Sequence, residues 1–316
     1  MTTGALHKEE ATIRDGPPLP RRVQARVLVP FTVVTLIWSS TWLVIRDELD
    51  AVSPAWSIAY RFTIAGAAML AYAIAMRSRL RLTRVELVWA GTIGLAQYVL
   101  NYGFVYAAEV HIASGLVALL FALLIVPNAI LGWLFLGERL SRRFLLGAGI
   151  AVLGLALLFG HEWRGAAARP HAVLLGVGFT LLATLAASVA NVMSAAPRVR
   201  AVPMPTLVGS GMIAGAVVDI AYAAATAGPP RFDLGGGYWL ATCYLALVAS
   251  TLAFPLYYHV IRTIGSARAA YSSLLTPFLA MALSTVFEGY RWSAQAAVGC
   301  LLAILGLFVA LRARIA

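Results

Sequence analysis

The sequence predicts an all-α, polytopic membrane protein of ten transmembrane helices built as a 5+5 inverted repeat. Three observations carry that expectation: too little charge for a surface in water, ten apolar stretches of membrane-spanning length, and a self-match at an offset of about 150 residues. Of the 316 residues, 61% are apolar and 12% are charged. A soluble domain carries about 25% charged residues, so lipid is the solvent that permits this surface. The net charge of +11 would suit nucleic acid if it were clustered, but nearly all the arginines sit in short gaps between apolar runs, and no nucleic-acid partner is expected. Cys243 and Cys300 both lie inside apolar runs, which excludes a disulfide framework and a thiolate metal site. Lysine occurs once, at Lys8, as the coding bias of a GC-rich bacterial genome predicts.

A crossing needs about 20 mostly apolar residues. The qualifying stretches are 27–46, 54–76, 85–107, 112–137, 143–160, 171–193, 204–227, 237–261, 268–287 and 293–312. Residues 1–26 are polar, with Pro17, Pro18 and Pro20, and read as a disordered cytoplasmic tail. They are not a signal peptide, because the run behind them is long enough to span and no small-residue cleavage site follows. With the N-terminus in the cytoplasm, the cytoplasmic gaps and tails hold 18 basic residues and the opposite side five: Arg46, Arg164, Arg169, Arg231 and Arg291. The excess of basic residues marks the cytoplasmic side. Both termini are therefore expected there, in a bacterial inner-membrane protein.

Shifted by 150 residues, Trp89 meets Trp239, Phe104 meets Phe254, Pro127 meets Pro277 and Glu138 meets Glu288. With a one-residue slip, Ser39 meets Ser188 and Gly66 meets Gly215. The matches divide the chain into a first five-helix unit, 27–160, and a second, 171–312. Five is odd, so the second unit enters the membrane from the opposite side. Inverted repeats build machines whose central site faces each side in turn.

Several short motifs then fall in order. Trp38-Ser39-Ser40-Thr41-Trp42 ends the first span and Tyr60-Arg61-Phe62 lies in the second. Pro127 lies in a fourth span closing on Leu136-Gly137-Glu138-Arg139-Leu140, and a glycine-rich fifth follows, from Gly147 to Gly154. The chain resembles the EamA family of the drug/metabolite transporter superfamily, which includes the YddG-type amino-acid exporters. The second copy departs from the pattern at Phe287-Glu288-Gly289. The resemblance implies export of small metabolites, often amino acids.

The expected cavity is aromatic and hydroxyl-bearing. Trp38, Ser39 and Trp42 belong to it from the first span; Trp42 has the alternative reading of an interface anchor. Tyr98, Asn101 and Tyr102 follow Gln97 at helical spacing in the third span, either lining a wet cavity or gluing helices together. Ser188 and Asn191 in the sixth span, Tyr258 in the eighth, and Tyr271 and Ser272 in the ninth complete the set. Such a wall suits a neutral or zwitterionic solute with an apolar or aromatic side chain. It does not suit a sugar phosphate, which would want several buried cations.

Arg61 and Asp219 are the two ionisable residues expected well inside spans. They pair with each other, or Arg61 meets a substrate carboxylate, or Asp219 carries a coupling proton. Pro127 and Pro277, in equivalent helices, act as hinges or as static bends. Glu138 and Glu288 are expected to cap the following helix or to pair with arginine. Small-residue pairs such as Gly211/Gly215, Gly147/Ala151 and Gly299/Ala303 mark close packing and are compatible with a homodimer.

Substrate and lipid are the expected partners; no cofactor or metal is expected. An importer or broad-specificity facilitator of the same fold is the alternative. The chain is not expected to be an enzyme: there are no acidic clusters, and His161-Glu162 lacks the second histidine of a zincin. No filter loop suggests a channel, and no Walker A motif provides for ATP-driven transport.

Overall fold

The computed structural model describes residues 21–49, 51–137, 140–165, 170–257 and 272–314. Among the described residues every regular element is helical and no strand occurs. In chain order α1 is Arg21–Glu48, α2 Pro54–Ala75, α3 84–109, α4 Ser114–Leu136 and α5 Arg142–Gly165. They are followed by α6 Pro170–Ala195, α7 Met204–Ala227, α8 Gly236–Tyr257, α9 Ser272–Phe287 and α10 Ala294–Arg314, with a single turn at Pro197–Arg200. Most of the expected tail, residues 1–20, lies outside the described residues.

Seven of these helices, α1, α2 and α4 to α8, are long and apolar enough to cross a membrane. Shorter apolar helices occupy Thr276–Phe287 and Ala294–Ala310. The remaining run, α3, carries Arg84, Glu86 and Glu109 together with the amides of Gln97 and Asn101, which dilute its apolar character. The outward faces are apolar: Phe135 is 73% exposed and Val286 74%. Lipid chains are the solvent that accepts such a surface.

Local chemistry explains where the helices begin, end and change pitch. Thr83 and Glu86 form a reciprocal capping box at the start of α3. Pro54 opens α2, where its missing N–H costs nothing. Gly137 ends α4 with φ of 70°, a left-handed position that favours glycine. Pro127 cannot donate to the carbonyl four residues back, and just before it the chain tightens into a 3₁₀ turn over Ala122–Leu124. Pro277 lies inside α9. Two wider π-helical segments interrupt α3 at Leu95–Asn101 and α8 at Tyr244–Leu252. They occupy equivalent places under the 150-residue shift. In α8 the Ser250 and Thr251 hydroxyls bond carbonyls five residues back, at 2.8 and 3.0 Å.

The two halves meet along seams of small residues. A Cβ on Gly154 would stand 2.3 Å from the Ala303 nitrogen, and one on Gly306 would stand 2.2 Å from the Ala151 nitrogen. Gly147 faces Ala310 and Gly299 faces Leu158 in the same way. Residue numbers rise on α5 as they fall on α10, so the two helices run antiparallel. The small-residue pairs noted in the sequence thus pack within this chain. The Gly66/Ile213 and Gly209/Leu70 contacts join α2 to α7, also antiparallel, and Gly94 lies directly on the Gly211 carbonyl between α3 and α7. The pairings repeat under the internal shift: α1 packs on α9 as α6 packs on α4, and α2 on α8 as α7 on α3.

Adding one methyl at Gly154 or Gly306 forces backbone apart from backbone. Gly154→Ala and Gly306→Ala are each expected to cost about 1–3 kcal/mol, the range for overpacking, read as a lower unfolding temperature in detergent micelles. Gly149→Ala, where nothing lies within 4 Å, should leave that temperature unchanged or slightly raised.

Candidate functional site

Arg61 lies two turns inside α2 and is 1% exposed. Its guanidinium stands over the Tyr102 ring at 4.5 Å and near the Phe62 ring at 5.3 Å. Stacking of this kind stabilises a cation that water no longer reaches. Nη2 makes two long hydrogen bonds of 3.4 Å, to the Tyr102 hydroxyl and to Ser250 Oγ. Nε and Nη1 are buried without a hydrogen-bond partner. The counter-charge is Glu48, the last residue of α1 and also buried. Its carboxylate accepts from Tyr106 Oη at 2.9 Å and from Thr242 Oγ1 at 2.7 Å. Tyr106 lies against both charges and separates them. The site is therefore assembled by α1, α2 and α3 of the first half and α8 of the second. The π-helical segment of α8 presents Ser250 to Arg61, and that of α3 ends directly before Tyr102.

The aromatic residues of α1 build the adjoining wall. Trp38 donates to the Ala249 carbonyl at 3.2 Å and packs against Tyr257 at 4.9 Å and Phe254 at 5.9 Å. Trp42 packs on Phe121 at 5.4 Å, and its indole N–H is buried without a partner. Ser39 bonds back to the Thr35 carbonyl of its own helix, at 2.6 Å. Its neighbour Ser40 bonds back to the Ile37 carbonyl at 2.8 Å and also meets the Tyr244 hydroxyl, at 2.7 Å. Tyr98 packs on Phe62 at 4.9 Å. Asn101 Nδ2 donates to the Gln97 carbonyl, and its Oδ1 is buried and unpartnered.

Asn191 lies apart from Arg61. With Gln97, Tyr98 and Ser194 it lines a small pocket of about 30 Å³ between α3, α6 and α7. Its amide also reaches Asn128 Oδ1 at 3.4 Å. Ser188 reaches the Leu124 carbonyl of α4 at 3.5 Å. Tyr258 and Tyr271 lie outside the described residues, as does Glu138, and only the backbone of Ser272 is described.

Arg61 and Asp219 make no ion pair among the described residues; Asp219 lies on α7 with Oδ2 buried and unpartnered. The carboxylates that sequence reasoning missed are Glu48 and Glu109. Their neighbours Arg46, Asp47 and Asp50, and the end of the apolar run before Glu109, made both look like loop residues. Burial at Thr41, Ile45 and Glu48, at helical spacing, shows α1 continuing to Glu48 with that face turned inward. Tyr106 continues the Tyr98–Tyr102 ladder by one more turn, a signal present in the sequence. Glu288 accepts from the Ser114 N–H at 3.2 Å, from Ser114 Oγ at 2.8 Å and from Ser284 Oγ. It caps the N-terminus of α4 in the opposite half, where a negative charge complements the helix dipole.

A multi-pass helical bundle of two similarly packed halves, with a buried cation between them, defines a membrane transport protein of the repeat type. The profile of the EamA-like transporter family matches residues 28–160 and again 174–312; the chain belongs to that family. It is 23% identical over 303 residues to Protein PagO of Salmonella typhimurium, covering 93% of this chain and 95% of that one. It is 34% identical over 144 residues to a probable terminal-alkyne amino-acid exporter of Streptantibioticus cattleyicolor, covering 44% of this chain and 45% of the relative. A crystal structure with 25% sequence identity superposes with a TM-score of 0.65, over 92% of this chain and 98% of that chain.

Removing Glu48 strands Arg61 without a counter-charge. Glu48→Gln, which weakens the hydrogen bonds from Tyr106 and Thr242 and removes the nearby charge, is expected to cost about 1–3 kcal/mol, measured by thermal unfolding. A Glu48→Gln/Arg61→Gln double variant should recover part of that loss.

Proposed function

We propose that the protein is a secondary transporter of the bacterial inner membrane that exports small metabolites, foremost amino acids with apolar or aromatic side chains. Ten spans in a 5+5 inverted arrangement carry it, both termini in the cytoplasm, and a central site between the halves opens to each side in turn. The observation that carries the substrate class is the guanidinium of Arg61, held between the halves with Nε and Nη1 unpartnered. Donors withdrawn from water in this way cost free energy until an acceptor arrives. The planar fork of arginine matches a carboxylate in bidentate fashion. Asn101 Oδ1 and Asp219 Oδ2, both buried acceptors without donors, complement an ammonium group. Trp38, Trp42, Phe62, Tyr102 and Phe121 offer apolar surface to a side chain.

The inverted arrangement is supported by the antiparallel α5/α10 and α2/α7 seams and by π-helical segments at equivalent places in α3 and α8. Inverted repeats place substrate at their interface and exchange conformations around it. Wide turns within helices recur at functional sites. The similarity to the Streptantibioticus protein, a probable terminal-alkyne amino-acid exporter, accords with this reading.

Counterflow of labelled leucine and phenylalanine in proteoliposomes tests it. Wild-type protein is expected to show saturable flux. Arg61→Gln should lower the flux at least tenfold, the loss of one charge-assisted hydrogen bond of about 1.5–3 kcal/mol, with Arg61→Lys intermediate. Trp38→Ala should weaken phenylalanine flux more than leucine flux. Saturable flux of neither amino acid in the wild type, or full flux in Arg61→Gln, overturns the proposal.

A further inference from the structure

We propose that Glu109 is a proton-binding site whose occupancy holds closed the arginine-poor end of the bundle, where residues 51–53, 110–113 and 228–235 lie. The inference rests on the alternating-access reading for the purpose of the closure; the site itself rests on geometry.

Glu109 ends α3 and is 0% exposed. Both of its carboxyl oxygens are buried without a partner. The charged groups that reach it are Arg46 and Glu48 from α1, Arg61 from α2, and Glu288 just after α9. Arg46 sits at hand, yet it donates to the main-chain carbonyl of Glu109 and not to the carboxyl. Arg61 bonds Tyr102 and Ser250, through Nη2, and not the Glu109 carboxyl, and Glu48 is engaged with Tyr106 and Thr242. Glu288 is held as an acceptor by Ser114 and Ser284, so its negative charge opposes a second one beside it.

A carboxylate in that position would be a buried anion with no donor on either oxygen, next to another carboxylate. Burial of an unpaired charge costs far more than keeping the proton. In this closed arrangement Glu109 is therefore the neutral acid. Ionising it requires one of two changes. Either water enters, or Arg46 moves from the carbonyl to the carboxyl oxygens of the same residue. Both disturb the junction at which α1, the start of α4 and the end of α9 meet. The O–H bond breaks heterolytically, the proton passes to water at that end, and the carboxylate retains the electron pair.

The sign follows by linkage. The carboxyl binds its proton more tightly in the closed state than in the open, hydrated one. The closed state therefore keeps its full advantage at acid pH and loses it as pH rises through the closed-state value. Glu109 stands where residues of both halves meet, so its charge bears directly on whether they separate.

The test uses the full-length chain in liposomes and needs no substrate. Infrared spectra at neutral pH should show a carboxylic-acid carbonyl band that Glu109→Gln removes; a spectrum unchanged by that substitution would mean an ionised Glu109 and overturn the proposal. A reporter cysteine at Ala113, with Cys243 and Cys300 replaced, reads the opening through a membrane-impermeant thiol reagent. Labelling, normalised to an exposed cysteine at Gly235, should rise several-fold from acid to mildly alkaline pH. In Glu109→Gln it should stay low and flat, and in Glu288→Gln the rise should move to lower pH. A pH-independent wild type, or a Glu109→Gln variant that follows the wild type, overturns the inference. Absence of amino-acid flux would sink the transport reading and leave these readouts standing.

Discussion

Hydrocarbon offers no hydrogen bonds, and the structure is organised by that constraint. Every polar group carried into the bundle must find its partner within the chain. Most do so locally: Thr35, Thr63 and Thr180 turn their hydroxyls back to carbonyls of their own helices. Others reach across. Glu48 is satisfied only because Tyr106 and Thr242 arrive from two other helices, and Glu288 only because it meets the open N-terminus of α4. Against this background the few groups left without partners stand out. Arg61 and Glu109 are the clearest, and they differ in kind. Arg61 lacks an acceptor that a solute can bring. Glu109 lacks a donor, and a proton replaces it.

The second constraint is steric. Without a hydrophobic force between helices in lipid, association depends on close packing. The α5/α10 seam brings backbone against backbone through Gly147, Gly154, Gly299 and Gly306. Such a seam gives the two halves a firm common axis. The region around Arg61 is packed differently, by rings and hydroxyls joined through long contacts of 3.4 Å. The π-helical segments of α3 and α8 flank it. A rigid seam beside a loosely bonded centre accords with the proposed rocking of the two repeats about a fixed site.

A good part of this was legible in the sequence. Apolar run length and the placement of arginine follow from solvent alone, so they are read directly from composition. The repeat was legible because residues with strong local roles, such as Pro127 and Pro277, recur at one offset. Trp38, Trp42, Tyr98 and Tyr102 were singled out by helical spacing. Ser188 was singled out too, but its hydroxyl reaches the Leu124 carbonyl of another helix, which spacing alone does not reveal. Arg61 was recognised as an unusual buried charge and set against Asp219, whereas the carboxylate that the structure links to it, through Tyr106, is that of Glu48. That pairing depends on α1 continuing helical through Arg46, Asp47 and Glu48, a stretch whose composition resembles a loop.

The sequence by itself determined the class of protein: an all-helical chain in lipid, made of two related halves, with one arginine too deep to be incidental. Those properties depend on solvent and on local propensity, which each residue carries wherever it sits. Only the tertiary structure decided which polar groups meet. It set Tyr106 between Glu48 and Arg61, turned Arg46 to the carbonyl of Glu109, and placed Glu288 on the first turn of α4 in the other half. The hydrogen bonds among these groups join residues 58 to 174 positions apart. They depend on crossing geometry and on the register of π-helical turns, and neither has a period that a single strand of sequence displays.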